Sequence, residues 1–126
     1  WTFVLWAWMY ATRIAALRAA GIDAARIQEK SDLDVLPARV RHIADNYNHL
    51  HEQPVLFYAL CAWCALAGTG DAVNVGLAWG YVGARIVHSL VQGTSNFVPL
   101  RFGLFAIGTA LLFGVFLRNA LALIGG

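Results

Sequence analysis

Polar and ionisable side chains recur at helical spacing in two otherwise apolar stretches of this sequence. The first polar stripe consists of Arg41, Asp45, Asn48, His49 and Glu52. The second polar stripe consists of Tyr81, Arg85, His88 and Gln92. Residues three, four, seven and eight positions apart lie on one side of an α-helix. Because guanidinium and carboxylate groups recognise charged ligands and histidine exchanges protons near neutral pH, the stripes predict a polar binding pocket.

The composition indicates that these stripes belong to a membrane protein. Of the 126 residues 60% are hydrophobic and 13% charged, against about 45–50% and about 25% in soluble domains. Such a surface needs lipid or a large partner, which excludes a disordered chain, a coiled coil and an ordinary soluble domain. The net charge of +2, without a basic patch that contains aromatic residues, argues against nucleic-acid binding. We expect an all-α fold, an integral membrane four-helix bundle.

Four stretches are apolar enough to cross the hydrocarbon core, which takes about 20 helical residues. We expect spans over residues 1–20, 37–67, 72–92 and 99–124, within a single domain of residues 1–126. The second should begin as an amphipathic helix that Asp34 caps, with Pro37 in its first turn, and become apolar from Pro54. Because the sequence begins at Trp1 without a Met, the first span is expected to be truncated at its N-terminus.

Lysine and arginine residues near the span ends predict the orientation, because they favour the cytoplasmic side. Six of the nine flank or lie in the first connection, residues 21–36, and Arg101 lies beside the third. Residues 68–71, the second connection, contain none. Both termini should therefore lie away from the cytoplasm, although Arg118 opposes this orientation. We expect the first connection to be a solvated cytoplasmic loop rather than a lid.

Ionisable groups at membrane depth cost about a few kcal/mol each, so the stripes require an explanation. One hypothesis is structural, a hydrogen-bond network between helices in which Glu52 neutralises Arg85. The other is a pocket on the cytoplasmic side, where both stripes and Arg101 would meet.

Other motifs favour structural roles. Cys61 and Cys64 have the spacing of a redox pair but lie in an apolar run, so we interpret them as buried small hydrophobes. His49 and Glu52 are three residues apart, as in carboxylate metal bundles, yet a second ligand set is missing from the sequence and we expect no metal.

Small and amide side chains near or in the spans predict contacts with neighbours or lipid. Asn74 and Asn119, near span ends, are interpreted as groups that face headgroups or water. Gly80 and Gly83 should let the third helix approach its neighbours closely.

Two motifs together resemble a known membrane family. The run ADNYNHLHEQPVLFYAL, residues 44–60, contains Glu52 two positions before Pro54, and the third span contains Arg85-Ile-Val-His88. At this separation, in a four-span chain of this length, they resemble the bacterial branch of the MAPEG family, the membrane-associated proteins of eicosanoid and glutathione metabolism. The likeness covers nearly the whole chain.

The resemblance implies a trimer of four-helix bundles in a bacterial inner membrane, with glutathione as cosubstrate between subunits near the cytoplasmic face. Glu52 matches the family carboxylate that receives the amine of glutathione, and Arg85 an arginine of the same site. Arg101 matches the arginine that faces the thiol. The resemblance and the stripes together give two candidate catalytic residues, Arg101 and His88, and seven candidate substrate-binding residues: Arg41, Asn48, His49, Glu52, Tyr81, Arg85 and Gln92.

Three positions depart from the family pattern. Asp45 and His49 stand where the family has arginine and asparagine, and Gln92 stands where it has tyrosine. Asp45 would repel a ligand carboxylate that an arginine would attract.

Two functions compete. The first is an enzyme, a transferase or peroxidase-like protein whose bound thiolate attacks lipophilic electrophiles that arrive from the bilayer. The second is a noncatalytic subunit or scaffold of a larger membrane complex. A transporter has less support, because the sequence shows no inverted repeat or broken helix pair. The two main hypotheses differ in whether the charges converge on an accessible cavity or satisfy one another.

Two further expectations concern the charges of the second helix. A subunit contact should use this helix, because Arg41, Asp45 and Glu52 lie on a face that one bundle does not easily cover. Glu52 and Arg85 should be partners or share a ligand, so that each single substitution destabilises and the double substitution costs less than the sum.

Overall fold

The structure, a computed structural model, describes residues 1–125, and these fold into helices without a strand. Two 3-10 helices lie between the first two α-helices. The first α-helix packs on the second, the second on the fourth, and the fourth against the fifth. The all-α prediction is therefore confirmed. In chain order the α-helices are α1 (Thr2–Ala19), α2 (Ala38–His49), α3 (Gln53–Ala67), α4 (Ala72–Gly93) and α5 (Val98–Gly125).

One helix, α5, is long and apolar enough to cross a membrane by its own length and composition; among residues 1–125 no other helix meets that test. The 15 residues of α3 extend about 22 Å at 1.5 Å each, which is shorter than the hydrocarbon core. The 22 residues of α4 include the second polar stripe. Each predicted span coincides with helical structure, but the four-span arrangement stays a prediction.

The predicted second helix is broken in two. It ends at His49 and resumes at Gln53, and Glu52 between them has φ −98° and ψ −104°, outside the helical region. Pro54 explains the break, because its ring would clash with the carbonyl of residue 50 in a continuous helix and it has no N–H to donate. The expectation that Glu52 continues the face of the first polar stripe was therefore wrong.

The first connection is exposed but folded against α2. Lys30 pairs with Asp45 at 3.2 Å, and Arg41 donates to Asp34 at 3.0 Å. Asp34 therefore binds a side chain and does not cap α2, contrary to the prediction, and Pro37 occupies the capping position. These pairs also remove the argument that Arg41 and Asp45 need a neighbouring subunit to cover them.

A capping arrangement stabilises the middle of this connection. Asp32 accepts hydrogen bonds from the backbone N–H groups of Gln28 at 2.8 Å and Glu29 at 3.0 Å. Both bonds lower the pKa of Asp32 below its ordinary value, and the bond from Glu29 has the larger effect. These bonds consequently define the turn from which Lys30 reaches Asp45 of α2.

A polar clasp joins the second connection to the end of α5. Arg118 donates to Asp71 at 2.6 Å and to the side chain of Asn74 at 3.1 Å. Asn74 donates to the carbonyl of Thr69 at 2.7 Å, and the hydroxyl of Thr69 donates to Asn119 at 2.5 Å. Asn74 and Asn119 are only 6% and 5% exposed, so their assignment as groups facing headgroups or water was wrong. Arg118, which opposes the predicted orientation, has a local partner.

We expect Arg118→Met to lower the free energy of unfolding by about 1–3 kcal/mol, because it leaves the buried oxygen of Asn74 without a donor. The exposed pair with Asp71 contributes little of this. Thermal unfolding in detergent measures the effect, with the exposed Arg18→Met as the control. Equal unfolding temperatures for the two variants would contradict the clasp.

Acid should weaken the same clasp. The backbone N–H of Asn74 has the largest effect on the pKa of Asp71 and lowers it from 3.8; burial opposes this, and the charge and hydrogen bond of Arg118 lower the pKa further. Since the folded pKa lies below the unfolded one, the stabilisation is present above the unfolded value and is lost as the pH falls through the folded value. Asp71→Asn should remove this part of the acid dependence.

A close approach fixes α1 against the end of α4. A Cβ atom at Gly93 would lie 2.6 Å from the ring of Trp8. Gly80 has a similar but looser contact, 3.2 Å to Leu111, whereas a Cβ at Gly83 would have no atom within 4 Å. The close-approach prediction is thus supported at Gly80, while Gly83 faces open space in this chain.

We expect Gly93→Ala to destabilise the protein by about 1–3 kcal/mol, because the stiff indole of Trp8 must leave its contacts with the buried cluster around Met9 and Ile43. Gly83→Ala is the matched control on the same helix and should gain up to about 1 kcal/mol from helix propensity. Thermal unfolding of both variants tests the contact. A stabilised Gly93→Ala would show that α1 does not pack here.

Candidate functional site

A cavity of about 420 Å³ lies where α2, the end of α4 and the start of α5 meet the first connection. We call it the charged cavity. Five of the nine predicted site residues line it: Asn48, His49, Glu52, Gln92 and Arg101. Lys30, His42 and Asp45 complete the wall.

The wall of the charged cavity contains two carboxylates and two permanent cations. Lys30 pairs with Asp45 at 3.2 Å, and His49 contacts Glu52 at 3.0 Å through Nδ1. Arg101 has no carboxylate within 4 Å among residues 1–125. Opposite charges around one space suit a ligand that itself contains an ammonium group and carboxylates.

Arg101 lies in the first turn of α5, which begins at Val98. Its Nη1 donates to Oδ1 of Asn96, while its Nε is buried without a hydrogen-bond partner within residues 1–125. The N-terminus of a helix has a partial positive charge, so a second positive charge there is unfavourable unless an anion binds nearby. The arrangement therefore favours an anion beside Arg101.

A second, aromatic pocket of about 250 Å³ adjoins the first at Arg101 and His49. Its other lining residues are His88, Val98, Phe102 and Phe105. Phe102 is 72% exposed on the outer surface of α5, the helix of spanning length. Phe102 therefore gives this pocket an exposed apolar rim, and Arg101 lines both the aromatic pocket and the charged cavity.

Both ring nitrogens of His88 are engaged by the protein. Nδ1 lies 3.0 Å from the carbonyl oxygen of Arg101 and must carry a proton, because a carbonyl only accepts. Nε2 lies 3.2 Å from Oε1 of Gln92. His88 is 5% exposed, so it is placed to hold the backbone at Arg101 rather than to receive a proton from a ligand.

Arg85 is buried near the site without a carboxylate partner. It is 5% exposed, its Nη2 donates to the carbonyl of His49 at 3.2 Å, and its Cζ lies 5.9 Å from the ring centre of Phe105. Glu52, the partner suggested by the sequence, contacts the ring of His49 instead. Within residues 1–125 His49 contacts both groups, Arg85 through its carbonyl and Glu52 through its ring, and no ion pair joins Arg85 to Glu52, so the structural hypothesis of a direct neutralising pair is not supported.

Two predicted site residues lie elsewhere. Tyr81 is 2% exposed and its ring stacks on Phe57 at 4.7 Å, inside the bundle. Arg41 lines a separate cavity of about 540 Å³ under the first connection and pairs with Asp34. The structure thus does not bring Tyr81 or Arg41 into the wall of the charged cavity.

Three residues of the site went unrecognised in the sequence. Lys30 and Asn96 lie in connections, where no helical periodicity marks them, and His42 lies one position beyond Arg41 of the first polar stripe. Asp45 belonged to the stripe, but Lys30 as its partner was unforeseen. Only the concentration of bases around the first connection pointed toward Lys30.

The helices and the two adjoining pockets define an all-helical protein with a candidate binding site lined by charged side chains. The model of the MAPEG family matches residues 1–121 of the 126. The chain therefore belongs to the MAPEG family, a membrane-integral family associated with glutathione. The resemblance to the family is confirmed, whereas its assignment to the bacterial branch stays a prediction. No curated protein and no solved structure matches the chain.

Proposed function

We propose that this protein binds glutathione, or a similar small thiol, in the charged cavity and catalyses its reaction with lipophilic electrophiles or hydroperoxides. The observation that supports this most is the position of Arg101, which lines both the charged cavity and the aromatic pocket. A water-soluble thiol and a lipophilic acceptor would meet at that side chain.

The donor set of the charged cavity fits glutathione. The ligand has one ammonium group and two carboxylates, and the wall has the carboxylates of Asp45 and Glu52 and the cations of Lys30 and Arg101. The guanidinium of Arg101 has no carboxylate within 4 Å among residues 1–125, so its positive charge can attract an anionic group of the ligand. Lys30 would offset the negative charge of Asp45, which stands where the family has an arginine.

Glutathione would supply a thiol, whose thiolate form is the nucleophile for both kinds of acceptor. Arg101 and the N-terminus of α5 favour the thiolate, because positive charge beside sulfur lowers a thiol pKa. His88 holds the backbone of Arg101 through its carbonyl, and because both of its ring nitrogens are engaged it has a positioning role here and not that of a base. Phe102 and Phe105 would exclude water from the acceptor side.

A noncatalytic subunit is the second candidate. It is favoured by the two contacts in the cavity wall, Lys30 with Asp45 and His49 with Glu52, which satisfy four groups without any ligand. In that case the cavity would bind no thiol, and its charges would only stabilise the bundle.

We also propose a homotrimer in a bacterial inner membrane, with both termini away from the cytoplasm. An apolar groove between α3 and α5, with a cavity of about 480 Å³ that includes Leu60, Trp63 and Phe116, supports further helix contacts. Mass determination in detergent tests the trimer, and a strict monomer would contradict it. That the protein belongs to a larger membrane complex also stays a prediction.

Purified protein in lipid nanodiscs tests the proposed function. We expect saturable glutathione binding by calorimetry, and consumption of glutathione with at least one compound in a panel of lipophilic electrophiles and hydroperoxides. Boiled protein and empty nanodiscs are the controls. Absence of saturable binding would overturn the enzyme proposal in favour of the noncatalytic subunit.

A further inference from the structure

Asn96, in the third connection, has an unusual backbone. Its φ is +51°, and it is the one non-glycine residue with positive φ within residues 1–125. Asparagine tolerates this left-handed region better than most residues. Its backbone N–H donates to the carbonyl of Val91 at 2.7 Å and so closes the end of α4. The position of its side chain is therefore defined by the helix end.

The side chain of Asn96 bridges two helices. Its Nδ2 lies 3.2 Å from Nε2 of His42 on α2, and its Oδ1 accepts a hydrogen bond from Nη1 of Arg101 on α5. His42 and Arg101 both line the charged cavity, whereas Asn96 lies behind them. Through its side chain and its backbone N–H together, Asn96 thus connects α2, α4 and α5 at the site.

The chemistry of the donors fixes the direction of each bond. A guanidinium group only donates, so Asn96 must present its oxygen to Arg101. The amide nitrogen then faces His42, and because an amide nitrogen only donates, Nε2 of His42 must be unprotonated. The bond chain from Arg101 through Asn96 consequently selects one tautomer of His42.

We infer that Asn96 is a positioning residue, which orients Arg101 toward the thiol and fixes the tautomer of His42. The effect on the thiol rests on the proposed function, whereas the bond chain does not. Arg101 has a long flexible side chain, and Asn96, which does not line the charged cavity, accepts a hydrogen bond from its Nη1. Without the amide, the guanidinium would lose a defined orientation.

The first test requires no thiol. The full chain, with ¹⁵N-labelled histidine in nanodiscs, is compared with Asn96→Gly and Asn96→Asp, and His42→Gln assigns the signal among the four histidines. We expect an unprotonated Nε2 in the parent protein and a protonated Nε2 in Asn96→Asp, because a carboxylate only accepts. A protonated Nε2 in the parent, or one unchanged signal throughout, would overturn the bond chain.

The second test uses the thiol reaction. Asn96→Gly keeps the positive φ but removes the amide. We expect its kcat to fall about 10- to 100-fold, with the KM for glutathione within about threefold, since a misplaced group costs about that much. Ser95→Gly, in the same turn, is the matched control and should stay within about twofold. An unchanged kcat in Asn96→Gly, or an equal loss in Ser95→Gly, would overturn the positioning role.

The two tests separate this inference from the proposed function. If the parent protein shows no thiol reaction, the proposed function fails, and the histidine signals alone decide whether Asn96 orders His42. If the parent is active and the histidine signals agree, an unaffected Asn96→Gly still refutes the inference while the proposed function stands.

Discussion

Arg101→Gln should lower glutathione-dependent kcat by about 10²–10³-fold, the loss typical when a group that stabilises developing or bound negative charge is removed. Affinity for glutathione should stay within about tenfold, because Lys30, Asp45 and Glu52 remain in the charged cavity. The ultraviolet absorbance of bound thiolate should disappear at neutral pH together with turnover. A larger effect on KM than on kcat would show that Arg101 binds the peptide and does not activate the thiol.

The matched control is Arg39→Gln, which removes the same charge from an exposed position of α2. It should leave kcat and the thiolate absorbance within about twofold. If Arg39→Gln reduced turnover as strongly as Arg101→Gln, the effect would come from net charge and not from the guanidinium beside the aromatic pocket.

Much of the fold follows from hydrophobic patterning. The predicted first, third and fourth spans lie within a few residues of α1, α4 and α5, because long apolar runs bounded by Gly-Thr-Gly-Asp and Gly-Thr-Ser-Asn define them. The break at residues 50–52 was missed although its signal was present. Pro54 had been taken only as the start of the apolar half, whereas its ring also prevents a helix from passing through residue 50.

The site residues that lie on helices could be predicted from the sequence, whereas those that lie in the connections could not. Periodicity placed Asn48, His49 and Gln92 toward a shared cavity, and the family resemblance placed Arg101 there. The positions of Lys30 and Asn96 depend on how the connections fold back, which hydrogen bonds of the backbone and a left-handed residue decide. The helical periodicity of the sequence contains no information on the path of these connections.

The buried charge of Arg85 makes the other large effect expected. Arg85→Met should leave the ligand-free protein equally stable, or raise its free energy of unfolding by about 1–4 kcal/mol, because no carboxylate within residues 1–125 lies within 4 Å to offset the cost of burying the guanidinium. This replaces the sequence-based expectation that both Glu52→Gln and Arg85→Gln destabilise. Thermal unfolding in nanodiscs without glutathione measures the change.

The stabilisation of the folded state by glutathione should then show whether the charge of Arg85 serves to bind the ligand. At a concentration of about 100 times its Kd, a ligand stabilises the folded state by about 2.7 kcal/mol, and Arg85→Met should lose most of this shift if a ligand carboxylate is the missing partner. A loss of about 3–5 kcal/mol in the ligand-free variant would instead mean that a carboxylate already meets Arg85 in the assembled protein. Adding Glu52→Gln then identifies this carboxylate. If the double variant loses less unfolding free energy than the two single variants together, the carboxylate is that of Glu52; if the losses add, it belongs to a neighbouring subunit.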